Sequence, residues 1–175
     1  MKTEIEVKIL NIDVDIIKQK LAELGAKKVA ERNMRRFVYD CKQECSFVRL
    51  RDDGKKSTLT FKERRTYEID STKEIEVVVD NFEEAHKLLL GMGLSLITYQ
   101  ENKRNSYVLD NVEIEIDFWP KIPAYLEVEG KSVEDVERIV KLLGFTMEQS
   151  TALSTNKVYA NYGIDLHSFK ELKFD

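Results

Sequence analysis

Glu4-Ile5-Glu6-Val7-Lys8-Ile9, close to the N-terminus, alternates charged and apolar side chains with period two. Successive side chains of a strand point to opposite faces, so Glu4, Glu6 and Lys8 share one face and Ile5, Val7 and Ile9 the other. The same grammar recurs along the chain. Arg49 and Arg51 oppose Val48 and Leu50; Thr58, Thr60 and Lys62 oppose Leu59 and Phe61; Glu74 and Glu76 oppose Ile75 and Val77. Further on, Glu113, Glu115 and Asp117 oppose Ile114, Ile116 and Phe118, and Glu127 and Glu129 oppose Leu126 and Val128.

Three of these acid–apolar–acid runs precede a helical stretch that ends in glycine. Apolar residues three and four apart follow Asp13, Asn81 and Ser132, and the stretches close at Gly25, Gly93 and Gly144. Asp13, Asn81 and Ser132 are suitable N-caps, and Ser132 with Asp135 resembles a capping box. Strands are also expected at Arg36 to Asp40, Ser46 to Arg51, Thr58 to Glu63, Thr98 to Leu109, Val112 to Phe118 and Tyr125 to Glu129. Asp52-Asp53-Gly54 and Asp110-Asn111 supply turns between neighbours. About eight strands and three helices result, with a tail from Phe145 that adds another short helix. No linker divides the chain, so one domain over 1–175 is expected.

The chain has 175 residues, 28 basic against 32 acidic, with 42% hydrophobic residues, 7 glycines and 2 prolines. That apolar fraction excludes a disordered chain. No apolar run reaches the ~18 residues of a membrane helix, and the two acids near the start do not suit a secretory signal. The net charge of −4 argues against nucleic acid as a partner. These features favour a cytoplasmic protein with reduced cysteines at Cys41 and Cys45. His86 and His167 are expected on a helix surface and in a polar tail. Hydrolytic chemistry would therefore rest on carboxylates, lysines, arginines or a metal.

The repeated charged faces admit two arrangements. In an open antiparallel sheet they would face water. In a sheet curled into a barrel they would line the lumen, with helices over the apolar outside. Acid doublets suit hard divalent cations, and Arg–x–Arg doublets suit phosphate oxygens.

Glu4-Ile5-Glu6-Val7-Lys8 is also the ExExK signature. With Arg49-x-Arg51, Thr60-Phe61-Lys62, Glu74-x-Glu76, Arg104, Asp117 and Glu127-x-Glu129 in order, the chain resembles the CYTH superfamily, or triphosphate tunnel metalloenzymes. That superfamily includes class IV adenylate cyclases, thiamine triphosphatases and inorganic triphosphatases. The resemblance implies an α+β fold: an eight-stranded antiparallel closed β-barrel with helices outside, binding a triphosphate with Mg²⁺ or Mn²⁺. By that resemblance Glu4, Glu6, Glu127 and Glu129 hold metal, and Glu115 and Asp117 hold a second metal or orient the nucleophile. Arg49, Arg51, Lys62 and Arg104 bind phosphate, and Lys157 returns from the tail over the tunnel mouth. Lys8 contacts phosphate or helps activate water, while Glu74 and Glu76 bind metal-bound water or balance nearby bases.

Two positions depart from the family pattern. Asn102-x-Arg104 stands where many members have Lys–x–Arg, and a regular strand puts Lys103 outside. Trp119-Pro120-Lys121-Ile122-Pro123 replaces a Leu-Gly turn and is expected to reshape one tunnel entrance. The favoured activity is metal-dependent release of orthophosphate from tripolyphosphate, thiamine triphosphate or a nucleoside triphosphate. The alternatives are adenylate cyclisation of ATP with release of pyrophosphate, and non-catalytic binding of polyphosphate or nucleotide. Trp119, Tyr125, Tyr39 and Phe37 are the aromatic candidates for stacking on a substrate ring, and a homodimer is expected by analogy alone.

Overall fold

The computed structural model describes residues 1–175. Its strands are β1 (Lys2–Ile9), β2 (Lys27–Asp40), β3 (Ser46–Asp52), β4 (Ser57–Arg64), β5 (Thr72–Val79), β6 (Ser95–Leu109), β7 (Val112–Phe118), β8 (Tyr125–Gly130) and the short β9 (Glu171–Leu172). They lie in the order β2-β3-β4-β5-β1-β8-β7-β6, and a further pairing between β2 and β6 closes the ring. All eight pairings around the ring are antiparallel. The barrel reading holds, and the open sheet does not.

Four helices pack outside: α1 (Val14–Glu23), α2 (Phe82–Gly91), α3 (Val133–Leu142) and α4 (Thr155–Asn161). Helix α1 starts where the Asp13 carboxylate accepts the N–H groups of Asp15 and Ile16, and it buries Ile17 and Leu21. Helix α3 starts where Ser132 Oγ accepts the N–H of Asp135 at 3.2 Å. The return half of that capping box is absent, because the short Asp135 side chain turns to Arg138 at 3.6 Å. Gly144 ends α3 with φ at +92°, a conformation that side-chain-bearing residues rarely adopt.

The outward apolar residues meet these helices. Val7, Ile9, Ile114, Ile116, Leu126 and Val128 pack beneath Ile17, Leu21, Val136, Ile139 and Val140. Each such fully buried side chain contributes about 1.5–3 kcal/mol, so the outside of the barrel is the hydrophobic core. On the far side α2 sets Phe82 and Leu89 against Tyr39 and Leu50.

Two features exceed the sequence reading. Strand β2 begins at Lys27 rather than Arg36, and pairs with β6 over its whole length. The tail also does more than add a helix. Thr151 exchanges both backbone hydrogen bonds with Lys8, on the edge of β1 that β5 leaves free after Glu4. Helix α4 then sets Val158 and Tyr159 against Trp119 and Tyr125, and β9 runs parallel to β6 at Tyr99 and Gln100. Together they cover one end of the barrel. The Trp119–Pro123 segment belongs to this cover, with the Tyr159 hydroxyl donating to the Pro120 carbonyl at 2.7 Å. No helix is long and apolar enough to cross a membrane.

Candidate functional site: a charged lumen closed at one end

Alternation within each strand carries the charged set inward. Directly paired residues share a face, so Lys8 with Glu127, Glu127 with Glu115, and Arg104 with Asp117 all point into the lumen. Exposure falls along the strands. On β1 the Lys2 side chain is 68% exposed and that of Lys8 4%. On β7, Glu113 is exposed while Asp117 is fully buried. The lumen therefore opens at the Lys2 and Glu113 end and closes where the tail lies.

One wall is dense with compensated charge. The Lys8 ammonium sits 2.8 Å from Glu6 and 3.1 Å from Glu127. Burial works against that charge, but Glu127 and Glu6 outweigh it and raise the Lys8 pKa above its ordinary value. The Lys62 ammonium donates to both oxygens of Glu4 at 2.8 Å and lies 3.3 Å from Glu74. Arg104 forks onto Asp117 at 2.7 and 2.5 Å and reaches Glu127 at 3.3 Å, with Glu115 on its other nitrogen. Burial, with the like charges of Glu127 and Asp117, pushes the Glu115 carboxyl up to about 7 despite Arg104.

Towards the open end three carboxylates of this wall converge, with Lys62 on Glu4, Lys8 and Arg64 on Glu6, and Lys2 on Glu129. One oxygen each from Glu4, Glu6 and Glu129 lies within 4.8 Å of the others. Three hard oxygen donors at that separation fit a small divalent cation. Glu127, Glu115 and Asp117, the other carboxylates expected to hold metal, lie around Lys8 and Arg104.

The opposite wall is different. The one carboxylate that Arg49 and Arg51 reach is Glu76, each at 3.5 Å; Arg49 also donates to the Thr60 hydroxyl at 3.2 Å, and that hydroxyl donates to Glu76 at 2.8 Å. The like charge of Arg49, then burial and Arg104, lower the Arg51 pKa to about 10. Such a cluster is repulsive until an anion enters it.

The lumen thus gathers Glu4, Glu6, Lys8, Arg49, Arg51, Lys62, Glu74, Glu76, Arg104, Glu115, Asp117, Glu127 and Glu129. Lys157 is the exception and requires a correction. Helix α4 turns Val158 and Tyr159 inward, which leaves Lys157 exposed on its outer face. Lys103 is outside, as a regular strand requires, with its ammonium over the Phe174 ring. Phe37 and Tyr39 lie under α2 beside His86, so they cannot stack on a substrate in the lumen. His86 is itself half-buried there, 2.6 Å from the Tyr39 hydroxyl, rather than a surface residue.

Three bases on the inward face lie outside the expected set: Arg64, Arg36 and Arg32, the last paired with Arg104 and 3.4 Å from Asp53. Arg64 donates to Glu6 at 3.2 Å and to the Ala152 carbonyl, tying the tail to the lumen. It continues the Thr60–Lys62 alternation by one step. Arg36 follows Arg32 and Met34 at period two, a pattern hidden by the neighbouring Arg35 and by the absence of apolar alternation.

The CYTH domain matches residues 2–160. The chain belongs to the CYTH family, and its eight-stranded closed barrel lined with charge is the corresponding fold. Among solved structures, the PH1012 protein of Pyrococcus horikoshii OT3 is 25% identical with TM-score 0.76, over 86% of this chain and 96% of that one. A proposed adenylate cyclase from Vibrio parahaemolyticus shares 14% identity with TM-score 0.77, over 91% and 98%. HpAC1 of Hippeastrum, a proposed adenylyl cyclase with a dominant triphosphatase activity, shares 16% identity with TM-score 0.63, over 93% and 96%. At those identities the last two speak for the fold alone. No curated protein matches the chain in sequence.

Proposed function

We propose that this protein is a divalent-metal-dependent triphosphate phosphohydrolase. The observation that carries the reading is the pairing of two sites in one lumen. A three-carboxylate cluster at Glu4, Glu6 and Glu129 stands with a cluster of arginines at Arg49, Arg51 and Arg104. Pure anion binding needs the second and has no use for the first.

A divalent cation at the carboxylates would neutralise charge on the phosphoryl oxygens and make phosphorus more electrophilic. The chain's own residues do the remainder. Arg49, Arg51, Lys62 and Arg104 hold the phosphate oxygens through forked or single donors. Lys8, fixed between Glu6 and Glu127, stays an ammonium and so offers charge to phosphate rather than acting as a base. Glu115 and Asp117, oriented by Arg104, are the carboxylates positioned to align an attacking water. Catalysis is then positioning plus electrostatic stabilisation of the phosphoryl group in flight.

The test offers tripolyphosphate, thiamine triphosphate and ATP with Mg²⁺ or Mn²⁺ and assays orthophosphate, pyrophosphate and cyclic AMP. Orthophosphate release that stops with chelator and falls at least about tenfold in Glu129→Gln supports the reading, since disturbing a metal site costs on that order or more. Glu129 is chosen because its side chain, 25% exposed, is less buried than those of Glu4 and Glu6. Pyrophosphate with cyclic AMP from ATP would replace the hydrolase by a cyclase. Binding without any product would leave a non-catalytic polyphosphate or nucleotide binder.

A further inference from the structure

Arg36 is a buried cation with no carboxylate partner. Its residue is 7% exposed, and it forms no ion pair. One guanidinium nitrogen donates to Asn102 Oδ1, and the guanidinium carbon lies over Trp119 at 4.6 Å from the ring centroid. The Arg36 Nε–H has no acceptor, nor does the amide nitrogen of Asn102, itself 1% exposed, nor Arg49 Nε. Burial, then the like charges of Arg49, Arg51 and Arg104, drive the Arg36 pKa well below its ordinary value. Buried donors without acceptors are costly, at roughly 1–3 kcal/mol each, so a fold that keeps several together awaits a ligand that accepts from all of them.

The surroundings define that ligand. Arg36 pairs with Arg51 on β3 and with Gln100 on β6. Gln100 and Thr98 are buried beyond the end of β7, where the tail adds β9. Behind the guanidinium stands Trp119, closed in turn by Tyr159 with ring centroids 6.2 Å apart. An aromatic wall leaves no passage for an organic group beyond this point.

We propose that Arg36 and Asn102, with Arg49 and Arg51, form a subsite for the unesterified terminal phosphoryl group of the substrate at the closed end of the lumen. This deepens the triphosphate reading above and rests on it. Arg36 also supplies, from β2, the cation that β6 lacks with Asn102 in place of a lysine. The substrate class is thereby narrowed to phosphate chains with at least one free end, inserted end-first. Any organic group remains towards the open mouth at Lys2 and Glu129.

The test is calorimetric titration of the full chain with tripolyphosphate, ATP and diadenosine triphosphate, whose phosphate chain has no free end. Melting temperatures without ligand are measured alongside. Wild type should bind the first two and reject the third by at least about tenfold. Arg36→Gln should melt no lower than wild type, because an uncompensated charge has gone, and should lose at least about tenfold in tripolyphosphate affinity. Asn102→Asp sets a carboxylate against the guanidinium; it should raise the melting temperature and weaken tripolyphosphate binding likewise. Wild-type affinity in both variants overturns the subsite, as does a lower melting temperature in both, which would make Arg36 a packing residue on Trp119. Equal binding of diadenosine triphosphate also overturns it. A wild type that binds but never hydrolyses removes the hydrolase and leaves the subsite standing. A wild type that binds neither tripolyphosphate nor inorganic phosphate removes both.

Discussion

The wall formed by β1, β8, β7 and β6 and the wall formed by β2 and β3 carry charge in opposite ways. In the first, every base has carboxylates at hydrogen-bonding distance: Lys8 with Glu6 and Glu127, Arg104 with Asp117, Glu115 and Glu127. In the second, Arg49 and Arg51 share one distant carboxylate, and Arg36 has none. The same alternating strands build both, so the difference lies in which charges face each other across the lumen. Paired charge holds the first wall in shape. Surplus charge in the second raises the energy of the free protein and is recovered only when an anion arrives.

The comparison breaks most readily at Arg104 and Arg51. Arg104→Met would strand Glu115 and Asp117 in the interior without a cation and leave Glu127 to Lys8 alone, and breaking a buried ion network in this way costs about 3–5 kcal/mol. The urea midpoint should fall accordingly at pH 7. Arg51→Met should shift it by less than about 1 kcal/mol, or upwards. With its pKa lowered to about 10 in the folded state, below the unfolded value, the Arg51 charge opposes folding throughout the neutral range. Equal losses in the two variants would show that both walls are held by their charges alike.

Acidification sharpens the same contrast at smaller scale. Burial disfavours the Asp53 carboxylate. The backbone N–H groups of Lys56 and Lys55, each at 2.9 Å, and Arg32 outweigh burial and hold it below the usual carboxylate range. A carboxyl with a lowered folded pKa stabilises above the unfolded value of about 4 and loses that contribution as pH falls through the folded value. Asp53→Asn should therefore cost about 1–2 kcal/mol at pH 7 and progressively less towards pH 3, read from melting temperatures. A gap that persists at pH 3 would assign Asp53 to turn geometry rather than to its charge.

How far these walls could be read from the chain depends on what each strand faces. Where an apolar residue separates each charge, as in Glu4-Ile5-Glu6-Val7-Lys8 or Glu113 to Asp117, core packing against α1 and α3 fixes the face, and the inward set is visible at once. Strand β2 lacks that signal over Lys27 to Arg35, because much of its outer face is solvated and carries Lys28, Glu31 and Arg35. Its length and the inward Arg36 were hidden for that reason. The end cover was hidden for another: Thr151, Trp119 and Tyr159 meet only through long-range contacts that no local period announces. The partition of carboxylates was equally unreadable. Alternation says that Glu127 and Glu129 share a face, yet only the closed ring shows Glu127 with Lys8 and Glu129 with Glu4 and Glu6.

The smallest effect concerns Lys157, the basic residue that the family pattern would place over the tunnel. Arg64 and Lys157 are both linked to the tail, but they stand on opposite sides of it. Arg64 reaches inward to Glu6 while holding the Ala152 carbonyl, whereas Lys157 faces solvent from α4. An exposed lysine without an ion pair contributes within about 0.5 kcal/mol to stability. As an exposed charge it is also screened by salt, with a Debye length of ~8 Å at physiological ionic strength. Lys157→Ala should thus leave the melting temperature and the affinity for tripolyphosphate within about twofold of wild type. Arg64→Ala should loosen the tail, exposing sites near Ala152 to protease, and weaken binding as well. A tenfold loss of affinity on removing Lys157 would mean that α4 swings inward when substrate binds, and the closed end would then be a moving lid rather than a fixed wall.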